Sequence, residues 1–468
     1  MSMFKGFSNA FKIPELRKKI LITLGLVAVC RLVSFIPIPG VDANAIAMAL
    51  KSFVASASTG GAANAIYNFL ETATGGATAQ CAIGVLSIWP YISAQIVIQL
   101  LTSVIPYLGK LRKEGESGRQ KISQITRYLT IVICVVQSAF IGYALLTNPG
   151  SIHPAFGGSQ IVTASGMGFV IMTVLTITTT SLFVMWVADQ ITTFGIGNGG
   201  SLIIMINITS RLPDAIISAW EQYFGHTVQG QRNPVELVLL LLFGFLVVMG
   251  TVMLTQGVRK VAIHATRRAM GGGNSFGMQQ TFMPLRVNYT GVMPIIFAGP
   301  LIVAFAFLLK LAPENHGMIL AGIHNFGVKL ADSLTWQHLL VYAIMILFFA
   351  FFWVATQFNA VEISENLKKD GSYVPGIRPG LATAEYLDAL MTRVTLIGGT
   401  GLLLIALIPQ VLMGMMNISW HIASFFGGTS LLIIVGVALD TLRIMESHLL
   451  VRKYDGFLRH GTLRGRHG

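Results

Sequence analysis

Five basic side chains carry the most explicit chemistry in this sequence. Arg259, Lys260, Arg267 and Arg268 lie close together in one polar connection, and Arg378 sits within Pro375-Gly-Ile-Arg-Pro379 in another. Two prolines, with Gly376 and Gly380, predict an exposed turn that holds the Arg378 guanidinium out. A guanidinium binds phosphate and carboxylate alike through paired hydrogen bonds. These residues therefore suit docking of an acidic or nucleic-acid surface rather than turnover.

Catalytic patterns are absent: there is no HExxH, GxSxG, Walker A or CxxC. Cys30, Cys81 and Cys134 are an odd set lying in or beside apolar runs, which argues against a disulfide framework or a metal site. Within those runs the ionisable groups are few. Arg31 lies near one end of its run, and Asp189 and Asp440 lie close to the ends of theirs. A charge at mid-bilayer costs ~2.5–3.5 kcal/mol on insertion scales, so ion-coupled carriers keep one for coupling. No central charge is kept here. That weakens a substrate-coupled secondary transporter, the second reading, and a membrane-embedded enzyme, the third.

The elements that must position these groups are ten apolar stretches. They are Ile20–Pro37, Ala82–Ile105, Leu129–Thr147, Gly168–Ala188, Ser201–Ser210, Leu237–Leu254, Gly291–Leu309, Leu339–Thr356, Val394–Met416 and Ile422–Leu439. With 53% hydrophobic and 11% charged residues, the chain is too apolar for a soluble domain of its length. About 20 residues rising ~1.5 Å each cover the ~30 Å hydrocarbon layer. The expected fold is an all-α polytopic membrane protein. Ser201–Ser210 is the weakest stretch, being short and holding Asn207.

Orientation follows from Lys and Arg in the connections. Of 32 such residues, 26 lie on the face that carries both termini, so both ends are expected to be cytoplasmic. The net charge of +13 is read first as this orientation signal. What remains is available for nucleic acid, an acidic partner or acidic lipids. The first stretch runs on into Phe35-Ile-Pro-Ile-Pro-Gly-Val-Asp42 without a small-residue cleavage site, so it is not expected to be a removable signal.

The stretches divide five and five. The expected organisation is an N-terminal half at 1–217, an outer hinge connection at 218–234, a C-terminal half at 235–447 and a basic tail at 448–468. Loops at 255–289 and 357–393 carry the basic residues above. An odd number of spans per half permits two pseudo-symmetric, inverted halves around a pore. One outer segment, Asn64–Ala79, is too polar for lipid and too short to cross. It fits either an ordinary outer loop with a surface helix or a short helix folded back into the bundle with Gly75-Gly76 as its turn, since irregular backbone at membrane depth survives only inside protein or against water.

Seven motifs occur in order: FIPIPGVD (35–42), IWPYISAQIVIQLL (88–101), KEGESGRQKISQ (113–124), GIGNG (195–199), VNYTGVMPIIFA (287–298), NLKKDGSYVPGIRPG (366–380) and FGGTSLLI (426–433). Through them the chain, from about Lys12 to Tyr454, resembles the SecY family, the pore-forming subunits of the bacterial general protein-translocation channel. The resemblance implies a passive pore for unfolded secretory polypeptides in the bacterial inner membrane. It implies no cofactor and no enzymatic activity of its own. SecE and SecG are the expected complex subunits. The SecA motor ATPase or a ribosome with its nascent chain supplies the drive, and signal sequences, SecDF and YidC are further expected partners.

Motif by motif, the resemblance implies a central hourglass pore. Its waist is an apolar ring of Ile88, Ile92, Gly200, Ile204, Ile296 and Ile433. Gly200 departs from the branched residue usual in the family and would widen the waist unless Met205 or Leu202 fills the gap. Residues 64–79, including Asn64, Phe69, Gly75 and Gly76, become the plug of the outer funnel. Spans two–three and seven–eight become a lateral gate for signal sequences, with Gln95, Gln99, Gln137 and Asn288 as candidate pairs across it. The basic residues Arg259, Lys260, Arg267, Arg268 and Arg378 become the contact for SecA or the ribosome. Gly271-Gly272-Gly273 departs from an often basic loop tip.

Overall fold

In lipid, backbone polar groups of an apolar run can be satisfied within one segment only by a helix. Each of the ten stretches overlaps one. The computed structural model describes residues 13–56, 74–151, 156, 161–163, 166–224, 234–265, 280–310, 318–332, 335–416 and 429–460. Among them, six helices are long and apolar enough to cross a membrane, or seven if one bent pair counts as a single span. The chain forms two compact units, residues 1–60, 67–213 and 437–468 in one, and 61–66 and 214–436 in the other.

The first unit holds α1 (Pro14–Val33), α2 (Ala43–Ser56), α3 (Trp89–Val104), α4 (Pro106–Lys113), α5 (Glu116–Thr147), α6 (Met167–Phe194) and α7 (Gly199–Thr209). Helix α5 packs on α3 and α6, and α1 packs on α6 and α7. The core beneath the outer connections joins Ile38, Cys81, Val85, Leu145, Phe156, Ile161 and Ile177. Close approach comes from small residues: a Cβ on Gly142 would already touch Thr173 and Val170 at 3.4 Å. Helix α3 begins at Trp89, seven residues later than its apolar stretch. Residues 82–88 are irregular, and Ser87 takes a left-handed φ of +45°. The chain breaks again at Ile105, whose extended backbone (φ −90°, ψ 113°) is what a following proline demands.

A helix α8 (Leu212–Phe224) follows α7, and Gly199–Trp220 together meet the length and hydropathy of a span, so the short fifth stretch continues further than its apolar core. The second unit then holds α9 (Pro234–Gln256), α10 (Met293–Lys310), α11 (Met318–Ala331), α12 (Trp336–Gln357), α13 (Ala360–Lys369) and α14 (Leu381–Met416). Helix α15 (Thr429–His460) starts in this unit and ends in the first. The core of the second unit runs from Val247 and Ile302 through Tyr342 and Ile346 to Leu402 and Leu432. The opposite face of α9 exposes Val238, Leu242, Phe245 and Met253. Such a continuous apolar face is stable against acyl chains and costly against water.

One part of the chain departs from an all-helical reading. Strands β1 (Val258–Ala265), β2 (Gln280–Arg286) and β3 (Ser372–Tyr373) form an antiparallel sheet in the order β2-β1-β3. The two long loops that carry the basic residues are joined through this sheet, with His264 opposite Tyr373. Val261 and Leu285 on this sheet, with Val374 just after β3, pack on Val354 and Phe358 at the end of α12 and on Leu387 and Met391 of α14. Burying that apolar side of the sheet is what holds the loops together.

Candidate functional site: an apolar constriction and its polar surroundings

Within the first unit, Ile88 caps the N-terminus of α3 and Ile92 lies one turn on, its N–H donating to the Ile88 carbonyl at 3.2 Å. This i,i+4 spacing puts both side chains on one helix face. Ile88 is 1% exposed, Ile92 8% and Ile204, on α7, 6%. None of the three faces outward. Helix α7 begins with Asn198, whose side chain accepts from the Ser201 N–H. That cap fixes the first turn, where Gly200 sits. A Cβ at Gly200 would stand 3.7 Å from Cδ1 of Ile88 and 3.3 Å from Oδ1 of Asn198. Leu202 does not fill the gap; its Cδ1 lies toward Gly197.

Within the second unit, Ile296 in the first turn of α10 is 7% exposed and Ile433 on α15 is 8% exposed. Their helices meet one turn away, where a Cβ on Gly436 would press to 2.8 Å from Cγ1 of Val292. Ile296 N–H donates to the Val292 carbonyl at 3.2 Å. All five isoleucines are enclosed by protein.

Residues 74–88 form the turn-rich entry to α3. Gly75 and Gly76 have φ of +66° and +92°, a backbone that side chains with Cβ rarely adopt. The Thr74 and Thr78 hydroxyls meet at 2.9 Å, and both side chains are buried. Asn64 and Phe69 lie outside the described residues.

The polar residues expected at a gate have distinct surroundings. Gln95 is exposed and hydrogen-bonds Tyr91 of its own helix, while Gln99 is half-buried. Gln137 Oε1 is enclosed with no partner among the described residues, and so is Nδ2 of Asn288. Asn288 Oδ1 accepts from Thr290 at 3.3 Å. An ion pair missed in the sequence joins Arg127 of α5 to Asp189 of α6 at 2.7 Å. The sequence places Asp189 only near the end of its run. Only the antiparallel packing of α5 on α6 supplies its partner.

On the sheet, Arg259 and Lys260 are exposed, opposite Leu285 and Pro284 of β2. Arg378 is exposed on a turn closed by Gly376 and Gly380 at φ +81° and +105°. The turn is tied by Ile377 N–H to the Val374 carbonyl at 3.1 Å and by the Thr383 hydroxyl to the Arg378 carbonyl at 2.8 Å. Arg267 and Arg268 lie outside the described residues. That β1 is a strand could have been read from Val261-Ala-Ile-His264, whose alternation has the two-residue period of a half-buried strand, but its pairing with the two residues of β3 could not.

A sequence profile of the SecY family matches residues 82–442. The chain belongs to the SecY family. A protein translocase subunit SecY of Streptomyces scabiei is 38% identical over 458 residues, which cover 98% of this chain and 100% of that one. The Thermotoga maritima protein of the same name is 35% identical and covers 99% of this chain and 100% of its own. Among solved structures, a protein-conducting channel superposes with a TM-score of 0.55 at 16% identity, covering 96% of this chain and 95% of that one. The channel of a canine ribosome–channel complex from the endoplasmic reticulum gives 0.53 at 15% identity, with the same coverage. These likenesses, with the apolar spans, make the chain a multi-pass membrane protein of predominantly helical fold.

Proposed function

We propose that this chain is the pore subunit of a protein translocase, conducting unfolded polypeptides across the bacterial inner membrane with both termini cytoplasmic. The observation that carries the reading is the near-complete coverage of relatives named translocase subunit SecY. The enclosure of isoleucines at the motif positions in each unit supports it.

The two halves form an hourglass whose waist is Ile88, Ile92, Gly200, Ile204, Ile296 and Ile433. A narrow apolar waist cannot hydrate an ion and tends to dewet, so it closes to ions without a specific block. It offers no directional hydrogen bonds, so chains of differing sequence slide through it. Residues 64–79 act as the plug, a second seal in series. Gln95, Gln99, Gln137 and Asn288 lie along the lateral gate. The enclosed, unpartnered amide atoms of Gln137 and Asn288 suit a seam that trades partners on opening, since such groups rarely stay unpaired in a permanent core. Interhelical polar pairs average only ~0.6 kcal/mol, so a signal helix can replace them with modest binding energy.

Energy comes from outside the chain. SecA or a translating ribosome docks on Arg259, Lys260, Arg267, Arg268 and Arg378, and SecE and SecG complete the complex. The sheet joins β1, which carries Arg259 and Lys260, to the connection that carries Arg378, which suits a single docking surface. The test is uptake of an unfolded secretory precursor into proteoliposomes holding the complex. Protease-protected precursor should appear only when SecA and ATP are both added. Protection without SecA, or none with it, contradicts the reading.

A further inference from the structure

Two arginines of the first unit converge on one turn of backbone. Arg31, in the last turn of α1, donates from Nη1 to the Gly75 carbonyl at 3.3 Å, and its guanidinium carbon lies 5.4 Å from the centre of the Phe35 ring. Arg211, just after α7, lies over Gly76. A Cβ on Gly76 would be 2.5 Å from its Nη2 and 2.7 Å from its Cζ. A Cβ on Gly75 would strike Nη1 of Arg31 and come within 3.0 Å of the Asn207 carbonyl and the Ser210 hydroxyl. Both guanidiniums thus reach bare backbone, which only glycine leaves open.

The floor of this site is itself fixed. Asn207 Nδ2 donates to the Ser87 hydroxyl at 3.2 Å, and the Ser210 hydroxyl to the Asn207 carbonyl at 2.7 Å. The turn continues through Ala82 N–H to the Ala77 carbonyl (2.9 Å) and Cys81 N–H to the Thr78 carbonyl (3.2 Å). Cys81 then takes a φ of +43°, a conformation that must be held by its surroundings. The two cations lie within Coulomb range of each other. Like charges do not gather on one turn for packing alone, because alkyl side chains would cover it without repulsion.

We propose that Arg31 and Arg211 are positioning residues that clamp the Gly75–Gly76 turn, Arg31 through its hydrogen bond to the Gly75 carbonyl and Arg211 by laying its charged guanidinium over Gly76. The Gly75–Gly76 turn belongs to the segment read above as the plug, so the clamp's part in sealing the resting pore rests on that reading.

Cys81 supplies a native reporter, being 1% exposed and six residues past the first clamped glycine. In the assembled complex, Cys30→Ser and Cys134→Ser leave it as the only thiol of the chain. Maleimide labelling of Cys81 in vesicles should run about tenfold faster in Arg31→Gln and Arg211→Gln than in the parent. Arg31→Lys and Arg211→Lys, which keep the charge and a donor, should label close to the parent rate. Assembly of the Lys variants where the Gln variants fail to assemble supports the same charge requirement. Labelling of the Gln variants within about twofold of the parent overturns the clamp, as do Lys variants that label as fast as Gln variants. Resting ion conductance in the same vesicles separates the two readings. Faster labelling with unchanged conductance keeps the clamp and removes the plug's sealing role, whereas unchanged labelling removes the clamp whatever the conductance.

Discussion

Cδ1 of Ile88 lies over Gly200, 3.7 Å from where a Cβ on that glycine would stand. The residue that departs from the family pattern therefore faces another residue of the proposed waist, and Leu202 does not come within contact of it. If the proposed waist is right, the missing side chain at this position leaves it wider on the α7 side.

Gly200→Val should narrow the waist. Asn198 Oδ1, 3.3 Å from the new Cβ, must give by a few tenths of an ångström, which an exposed cap residue can do. The expected outcome is an assembled complex with lower resting conductance and slower passage of precursors carrying a bulky disulfide-closed loop. Unchanged transport of such precursors removes Gly200 from the lining.

Ile296→Asn and Ile433→Asn each place a hydrogen-bonding amide where a buried aliphatic group now stands. Such a group holds water in the constriction and ends its dewetting. Resting conductance of proteoliposomes should rise several-fold, and precursors with weakly hydrophobic signals should pass. A conductance equal to that of the parent counts against an apolar seal at these positions.

Arg378→Glu reverses a charge on an exposed, tied turn without touching the sheet core. SecA-driven translocation should fall at least tenfold, about 1.4 kcal/mol in the docking step, while co-purification with SecE and SecG is unchanged. Normal SecA-driven uptake by this variant excludes Arg378 from the contact.

The Arg127–Asp189 pair is half-exposed on its arginine side. Exposed pairs contribute about 0–1 kcal/mol, so Arg127→Gln should lower the thermal midpoint of the complex by no more than a few degrees. A loss large enough to prevent assembly would show that this pair holds α5 against α6 more strongly than its exposure implies.

The spans were legible because lipid leaves apolar segments one solution. The seven motifs nominated the five isoleucines and Gly200, and the structure places all five isoleucines in buried positions. What could not be read depends on partners distant in sequence. Ala82–Ser87 looks as apolar as the helix that follows, yet its backbone turns instead, held by bonds such as Ile83 N–H to the Ile36 carbonyl at 2.8 Å. The roles of Arg31 and Arg211 could not be read because the Gly75–Gly76 turn lies 44 residues from the first and more than a hundred from the second. The β1–β3 pairing escaped notice because β3 is two residues long, too short to show a period. Where composition decides the outcome the sequence was readable, and where a single long-range hydrogen bond decides it was not.

The most direct measurement is site-specific crosslinking from a photoreactive residue placed at Ile92 and, separately, at Ile296, in a complex holding an arrested secretory chain. Both positions should capture the arrested chain, and an exposed control such as Phe245 on the outer face of α9 should capture none. Crosslinks from Phe245 with none from Ile92 or Ile296 would contradict a polypeptide path through an isoleucine-lined centre.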